Sequence, residues 1–178
     1  AARAAEAADL LAAAGGTALG ENAAQQWEHG RFAAPYLRDA LLDVGVLCET
    51  LETATTWSNL SNLKAEVTGA LMDALGAQGT PALVMCHISH TYPTGASLYV
   101  TVVAKQLDDP LKQWAVAKGA AGDAIIAAGG TITHHHAVGA DHRPWMTAEV
   151  GELGVRVLRA VKRELDPAGV LNPGKLVP

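Results

Sequence analysis

Ala82-Leu83-Val84-Met85-Cys86-His87-Ile88-Ser89-His90, then Tyr92-Pro93-Thr94-Gly95, then Ser97-Leu98-Tyr99-Val100-Thr101-Val102-Val103, is the stretch whose reading decides the fold. Two runs rich in β-formers flank a turn marked by Pro and Gly, so the sequence predicts an antiparallel hairpin with a somewhat long connection. Before it, Gly45 to Glu52 alternates as a strand does, and Trp57 to Leu75 carries Leu60, Leu63, Val67, Leu71 and Leu75 near helical spacing. After it, Leu111 to Ala128 reads as a helix and Thr131 to His136 as a last strand.

The order from Gly45 onward is therefore β-α-β-β-α-β, which is expected to give an α+β fold: a ferredoxin-like antiparallel sheet with helices on one face. Pro144 opens a further C-terminal helix in which Val150, Leu153, Val157, Leu158, Val161 and Leu165 form the expected buried stripe, and Asp166-Pro167 ends it. Upstream, an Ala-rich helix over residues 1–14 stops at Gly15-Gly16, Glu21 to His29 reads as a short helix, and Pro35 to Asp39 as an irregular or short helical stretch. Gly-Gly-Thr follows an Ala-rich helix twice, at residues 15–17 and 129–131, so two related helix-to-strand units are expected.

With 178 residues, 49% of them hydrophobic and 17% charged, the chain can bury one ordinary core. A net charge of −5 without a basic face gives no support for nucleic-acid binding. The two cysteines, Cys48 and Cys86, lie in apolar runs and read as buried thiols of a reducing compartment, so a cytoplasmic location is expected. No apolar run is long enough to span a bilayer. The first residue is not Met and stands inside a predicted helix, so the chain is expected to be a piece of a longer protein.

The chemistry concentrates at Thr131-Ile132-Thr133-His134-His135-His136-Ala137-Val138-Gly139. Imidazole moves protons near neutral pH, and no packing requirement asks for three in a row. On a strand His134 and His136 would face one way and His135 the other, so at most two could share an ion. Metal ligation thus stays as an alternative, while proton transfer is the reading taken and no metal is assigned. Arg38 next to Asp39 is either a surface ion pair or a guanidinium fork for a carboxylate or phosphate. Tyr99 is a half-buried aromatic or, if it shares a face with the histidines, an acid or base. His87 reads as a satisfied core histidine. No Gly-rich phosphate loop accompanies the Gly-Gly-Thr turns.

In order along the chain, Pro35-Tyr36-Leu37-Arg38-Asp39, Glu49-Thr50-Leu51-Glu52-Thr53-Ala54 with Trp57, Thr94-Gly95-Ala96-Ser97-Leu98-Tyr99, the Gly129 to Gly139 run, and Leu171-Asn172-Pro173-Gly174-Lys175 resemble the C-terminal half of flavin-linked oxidases of the vanillyl-alcohol-oxidase type. Within that group the triple His is similar to the alkyl-dihydroxyacetonephosphate synthases. The resemblance implies a substrate cap over residues 1–143, a helix and tail over 144–178 that return to the flavin domain, and an N-terminal FAD-binding domain outside this chain. It further implies that Arg38 binds the acidic end of a small acidic or phosphorylated substrate, and that Tyr99 with His134, His135 and His136 is catalytic. His134, His136 and Asn172 would border the FAD, and a homodimer is one assembly it admits. The D-2-hydroxyacid dehydrogenases and oxidases, relatives that usually carry Glu-His-Gly where His135-His136-Ala137 stand, are the second reading. A non-catalytic ferredoxin-like binding domain is the third.

Overall fold

The computed structural model describes residues 2–178, in two compact units divided between Ala40 and Leu41. The N-terminal unit holds helix α1 (Ala2–Ala13), α2 (Asn22–Gly30) and most of α3 (Ala34–Asp43). Coil, not a strand, follows Gly15-Gly16, so the expected pair of related helix-to-strand units is not formed. In α2 and the turn after it, the Arg31 guanidinium lies 4.6 Å from the Trp27 ring and 5.1 Å from that of Phe32.

The second unit is built on a three-stranded antiparallel sheet in the order β1-β3-β2, from β1 (Val46–Thr56), β2 (Leu83–Thr91) and β3 (Gly95–Lys105). Register explains the division of labour between the faces. Leu47, Leu51 and Thr53 pair with Ala104, Val100 and Leu98 and share one face, since directly paired residues point the same way. That face is covered by α4 (Leu60–Ala77) and α5 (Pro110–Ala127), whose Leu63, Val67, Leu71, Leu75, Ala117, Ala121 and Ile125 are buried against it. Each large aliphatic side chain so removed from water contributes about 1.5–3 kcal/mol. The opposite face carries Cys48, Thr50, Glu52 and Ala54 of β1, paired with Val103, Thr101, Tyr99 and Ser97 of β3. This α+β sandwich with helices on one face is the architecture the element order predicts.

Two elements depart from expectation. Thr131 to His136 does not make a regular fourth strand. It runs antiparallel along the free edge of β1 on two backbone bonds, Thr131 N to Ala54 O (3.0 Å) and His134 N to Glu52 O (3.1 Å), with three residues advancing against two. Glu149 anchors the start of this segment, its carboxylate accepting from the Thr131 hydroxyl (2.5 Å) and the Ile132 N–H (3.0 Å). The second departure is α6 (Met146–Leu165), which follows a 3-10 turn at Arg143–Trp145 and is broken at Gly151 (φ 72°). Its expected buried stripe is largely outside: Leu153 is 66% and Leu165 73% exposed, while Met146 and Val155 are the buried positions. His87, expected in the core, is exposed on the open face of β2. Both cysteines are free and half-buried, and burial pushes the Cys86 thiol up against the opposing pull of Lys64. No helix among the described residues is long and apolar enough to cross a membrane.

The approach of residues 129–134 to β1 needs a glycine. A Cβ on Gly130 would stand 2.8 Å from Leu63 Cδ1 and 2.9 Å from Thr53 Oγ1, both buried. Gly130→Ala is therefore expected to lower unfolding free energy by about 1–3 kcal/mol, read from the shift of the denaturant midpoint; an unchanged midpoint would show that the crossing is looser than described.

Candidate active site

Three segments converge on the open face of the sheet: the middle of β1, the β2–β3 hairpin, and the histidine run. Their common centre is Glu52. Its pleat position points it away from the hydrophobic core, yet its side chain is only 3% exposed because residues 134–136 fold across it. The run can do this because it curls. His136 N donates to His134 O at 2.8 Å around His135 (φ 59°), and Ala137 is also left-handed (φ 61°). Positive φ costs a non-glycine residue about 1–3 kcal/mol and persists where surroundings over-determine it. Here His142, 8% exposed, supplies part of that restraint by donating from Nδ1 to Ala137 O (2.9 Å), as Thr133 Oγ1 does at 3.2 Å.

Around the carboxylate, Ser89 Oγ donates to Oε1 at 2.5 Å and itself accepts from Ser97 Oγ at 2.7 Å. The Nδ1 atoms of His90 and His134 each lie 3.3 Å from Oε1, and His136 Nε2 lies 3.6 Å from Oε2. His134 Nδ1 is buried beside Oε1 but has no hydrogen-bond partner. Burial pushes the Glu52 carboxyl up, but hydrogen bonding by Ser89 and Ser97 and the His134 interaction outweigh it, and the carboxyl ends below its ordinary range. Among the described residues, the basic side chains recorded against Glu52 are all imidazoles.

The rings also contact one another. His135 stacks on His90 with centroids 4.5 Å apart and planes 11° from parallel, and lies 4.1 Å from His134. His136 meets the Tyr99 ring edge-on at 5.5 Å, and the Tyr92 hydroxyl is 3.1 Å from His134 Nε2. One nitrogen each of His90, His134 and His135 falls within a sphere of 4.8 Å mutual separation, a set that could hold a divalent cation. The expectation that adjacent histidines must diverge fails here because the backbone is curled and not extended.

Tyr99, His134, His135 and His136 are thus brought together. Arg38 lies on α3 in the N-terminal unit, with Asp39 3.8 Å from its guanidinium. Asn172 (φ 46°) lines a cleft of about 490 Å³ with Ala137, Gly139, Leu158, Leu171 and Leu176, and Leu176 N donates to Gly139 O, which ties the tail to the end of the histidine run. Lys162, Asp166 and Lys175 line the same cleft, so its largely apolar walls carry charged groups beside the one amide. Sequence reasoning missed Glu52, His90 and His142. The signal for Glu52 was an acidic residue within a strand otherwise rich in Thr, Leu and Ala; the other two offered none.

The profile of the FAD linked oxidases, C-terminal domain, matches residues 1–176, and the chain belongs to that family. FAD is the cofactor of this family, and the chain is its C-terminal part. Its relatives are specific. It is 35% identical to the alkyldihydroxyacetonephosphate synthase of Dictyostelium discoideum over 171 residues, 96% of this chain and 28% of that one. To the synthase of the same name from Trypanosoma brucei brucei it is 32% identical over 170 residues, again 28% of the relative's length. A solved alkyldihydroxyacetonephosphate synthase structure superposes with a TM-score of 0.60 at 32% identity, covering 90% of this chain and 26% of the other. The chain therefore spans little more than a quarter of the relatives it matches.

The two perturbed acids of the site predict its acid limit. Burial, reinforced by Lys118, pushes the His142 imidazole below its ordinary value of 6.5, so the stability gained by keeping it neutral is complete above that value and lost as pH falls toward the lower folded one. Glu52 acts later: its contribution is complete above the ordinary carboxyl value of 4.5 and lost as pH falls through its lower folded value. Denaturant midpoints measured from pH 7 downward should fall in these two stages, and Glu52→Gln should flatten the second; a single stage unaffected by the variant would contradict the assignment.

Proposed function

We propose that this chain is the substrate cap of an FAD-dependent enzyme of the alkyldihydroxyacetonephosphate synthase type. The observation that carries the reading is the gathering of Tyr99 and His134 to His136 on one sheet face, in a chain matched along its length by synthases of that name. FAD, held mainly by a further domain of the full-length protein, would supply the electrophilic and redox centre. His134, His136 and Asn172 would border it. Arg38 would hold the acidic or phosphorylated end of the substrate by charge-assisted hydrogen bonds. Tyr99 and the imidazoles would move the proton at the reacting carbon and exclude water. In the balanced exchange, an acyl-dihydroxyacetone phosphate and a fatty alcohol give the alkyl ether and the free fatty acid, with no net oxidation.

A D-2-hydroxyacid dehydrogenase is the second reading. The convergence of His90, His134 and His135 favours it, as does a short stretch of 52 residues that is 38% identical to a probable mitochondrial D-lactate dehydrogenase of Danio rerio.

The test uses the full-length flavoprotein mixed with palmitoyl-dihydroxyacetone phosphate or with D-lactate while flavin absorbance is recorded. The synthase reading predicts a spectral response to the first substrate that Tyr99→Phe and His135→Ala each slow by about a hundredfold or more. A response to D-lactate alone, with stoichiometric zinc or manganese, would move the assignment to the dehydrogenase. No response to either would overturn both.

A further inference from the structure

We propose that the polar cleft between residues 136–142 and the C-terminal tail is a binding site for a phosphate group, held by Lys175, Arg143 and main-chain N–H groups. The identity of the phosphorylated molecule rests on the function proposed above; the chemistry of the cleft does not.

The cleft has a volume of about 510 Å³ and is walled by Lys118, Lys175, His136, His142 and the chain from Ala137 to Asp141. Its one carboxylate, Asp141, is taken up by Lys118 at 3.2 Å. Lys175 and Arg143 differ from Lys118, since among the described residues neither has an acidic partner. They stand close together: Arg143 Nη1 is 3.7 Å from the place a Cβ on Gly174 would take, and Lys175 follows directly. In a chain of net charge −5, two neighbouring cations left without an acid create a local positive potential that draws an anion from outside.

The main chain shows the same preference. The carbonyls of residues 137–139 are all engaged: Ala137 O accepts from His142 Nδ1 and Thr133 Oγ1, Val138 O from His142 N, and Gly139 O from Leu176 N. The N–H groups of residues 137–141, in contrast, reach no protein acceptor among the described residues. Acceptors in use beside unused donors favour an anion over a cation. Ala137 (φ 61°) and Gly139 (φ 57°) are left-handed, and turns of that kind are where successive N–H groups form anion-holding concavities. The Leu176 bond also ties the tail that carries Lys175 to this loop. Phosphate suits such a lining because it offers several acceptor oxygens, two for the Arg143 fork and others for the Lys175 ammonium and the amides. His136 belongs both to this cleft and to the imidazole cluster, so a phosphate bound here stands at the edge of the candidate active site.

Two phosphorylated molecules belong to the proposed reaction, the acyl-dihydroxyacetone phosphate and FAD, and one experiment separates them. Inorganic phosphate is titrated calorimetrically into the full-length flavoprotein. It should bind at one site per chain with an affinity that falls as salt rises. Lys175→Met and Arg143→Met should each weaken it by about tenfold or more, while Lys175→Arg retains it. If the substrate is the natural source, phosphate competes with palmitoyl-dihydroxyacetone phosphate, and Lys175→Met raises the half-saturating substrate while bound flavin is unchanged. If the source is the FAD diphosphate, phosphate binds only after flavin is stripped from the full-length protein, and the same variants lose flavin. Phosphate binding absent from both forms, or unchanged in both methionine variants, would overturn the proposal. A flavin that ignores the substrate would count against the synthase reading alone, because the phosphate titration needs no turnover. Should one variant fail to fold, the other decides.

Discussion

A buried carboxylate with no lysine or arginine recorded against it among the described residues must be satisfied by whatever folds over it, and the site depends on how this chain meets that demand at Glu52. Taking an ion from water costs several kcal/mol unless hydrogen bonds and countercharges replace the solvent. Two serines from the hairpin supply the hydrogen bonds, and imidazoles from the hairpin and from the 134–136 run supply the polar lid. The run must then leave the extended conformation, and the positive φ at His135 and Ala137 is the local cost of that closure. One buried group thus explains the absent fourth strand, the stacked rings and the placement of Tyr99.

The rest of the second unit acts as a rigid frame for this arrangement. Leu98, Val100 and Val102 of β3 lock one face of the sheet to α4 and α5, which fixes Ser97 and Tyr99 on the other. Glu149 of α6 and Thr53 of β1 hold Thr131 and Ile132, so the histidines begin from an anchored backbone. His142 holds Ala137 at the far end. Precision at the site comes from these restraints on both sides of a short strained segment.

Much of this was legible in the sequence. The leucines of α4 at helical spacing, the β-branched runs of the hairpin and its Pro-Thr-Gly turn lead directly to the sheet and its helical layer, because local periodicity and burial agree there. The histidine run marks the site for a chemical reason: consecutive imidazoles have no packing rationale. What was not legible depends on long-range partners. Whether residues 131–136 pair as a strand is decided by how residues 134–136 close over Glu52, on a strand distant in sequence. Which stripe of α6 is buried depends on the break at Gly151 and on what the helix meets, so Leu153 and Leu165 are exposed while Val155 is not. His90 joins the cluster through a register shift between Ile88 and Thr91, and a two-residue strand period cannot foresee such a shift.

The central claim is that the imidazole cluster over Glu52 is the protein's face to its flavin. The most direct measurement is a crystal structure of the full-length protein with FAD bound. The account predicts His134, His136 and Tyr99 in contact with one face of the flavin ring system, with Asn172 at its edge and Glu52 behind the rings. A structure with the flavin ring remote from residues 134–136, and the cluster open to solvent, would contradict it.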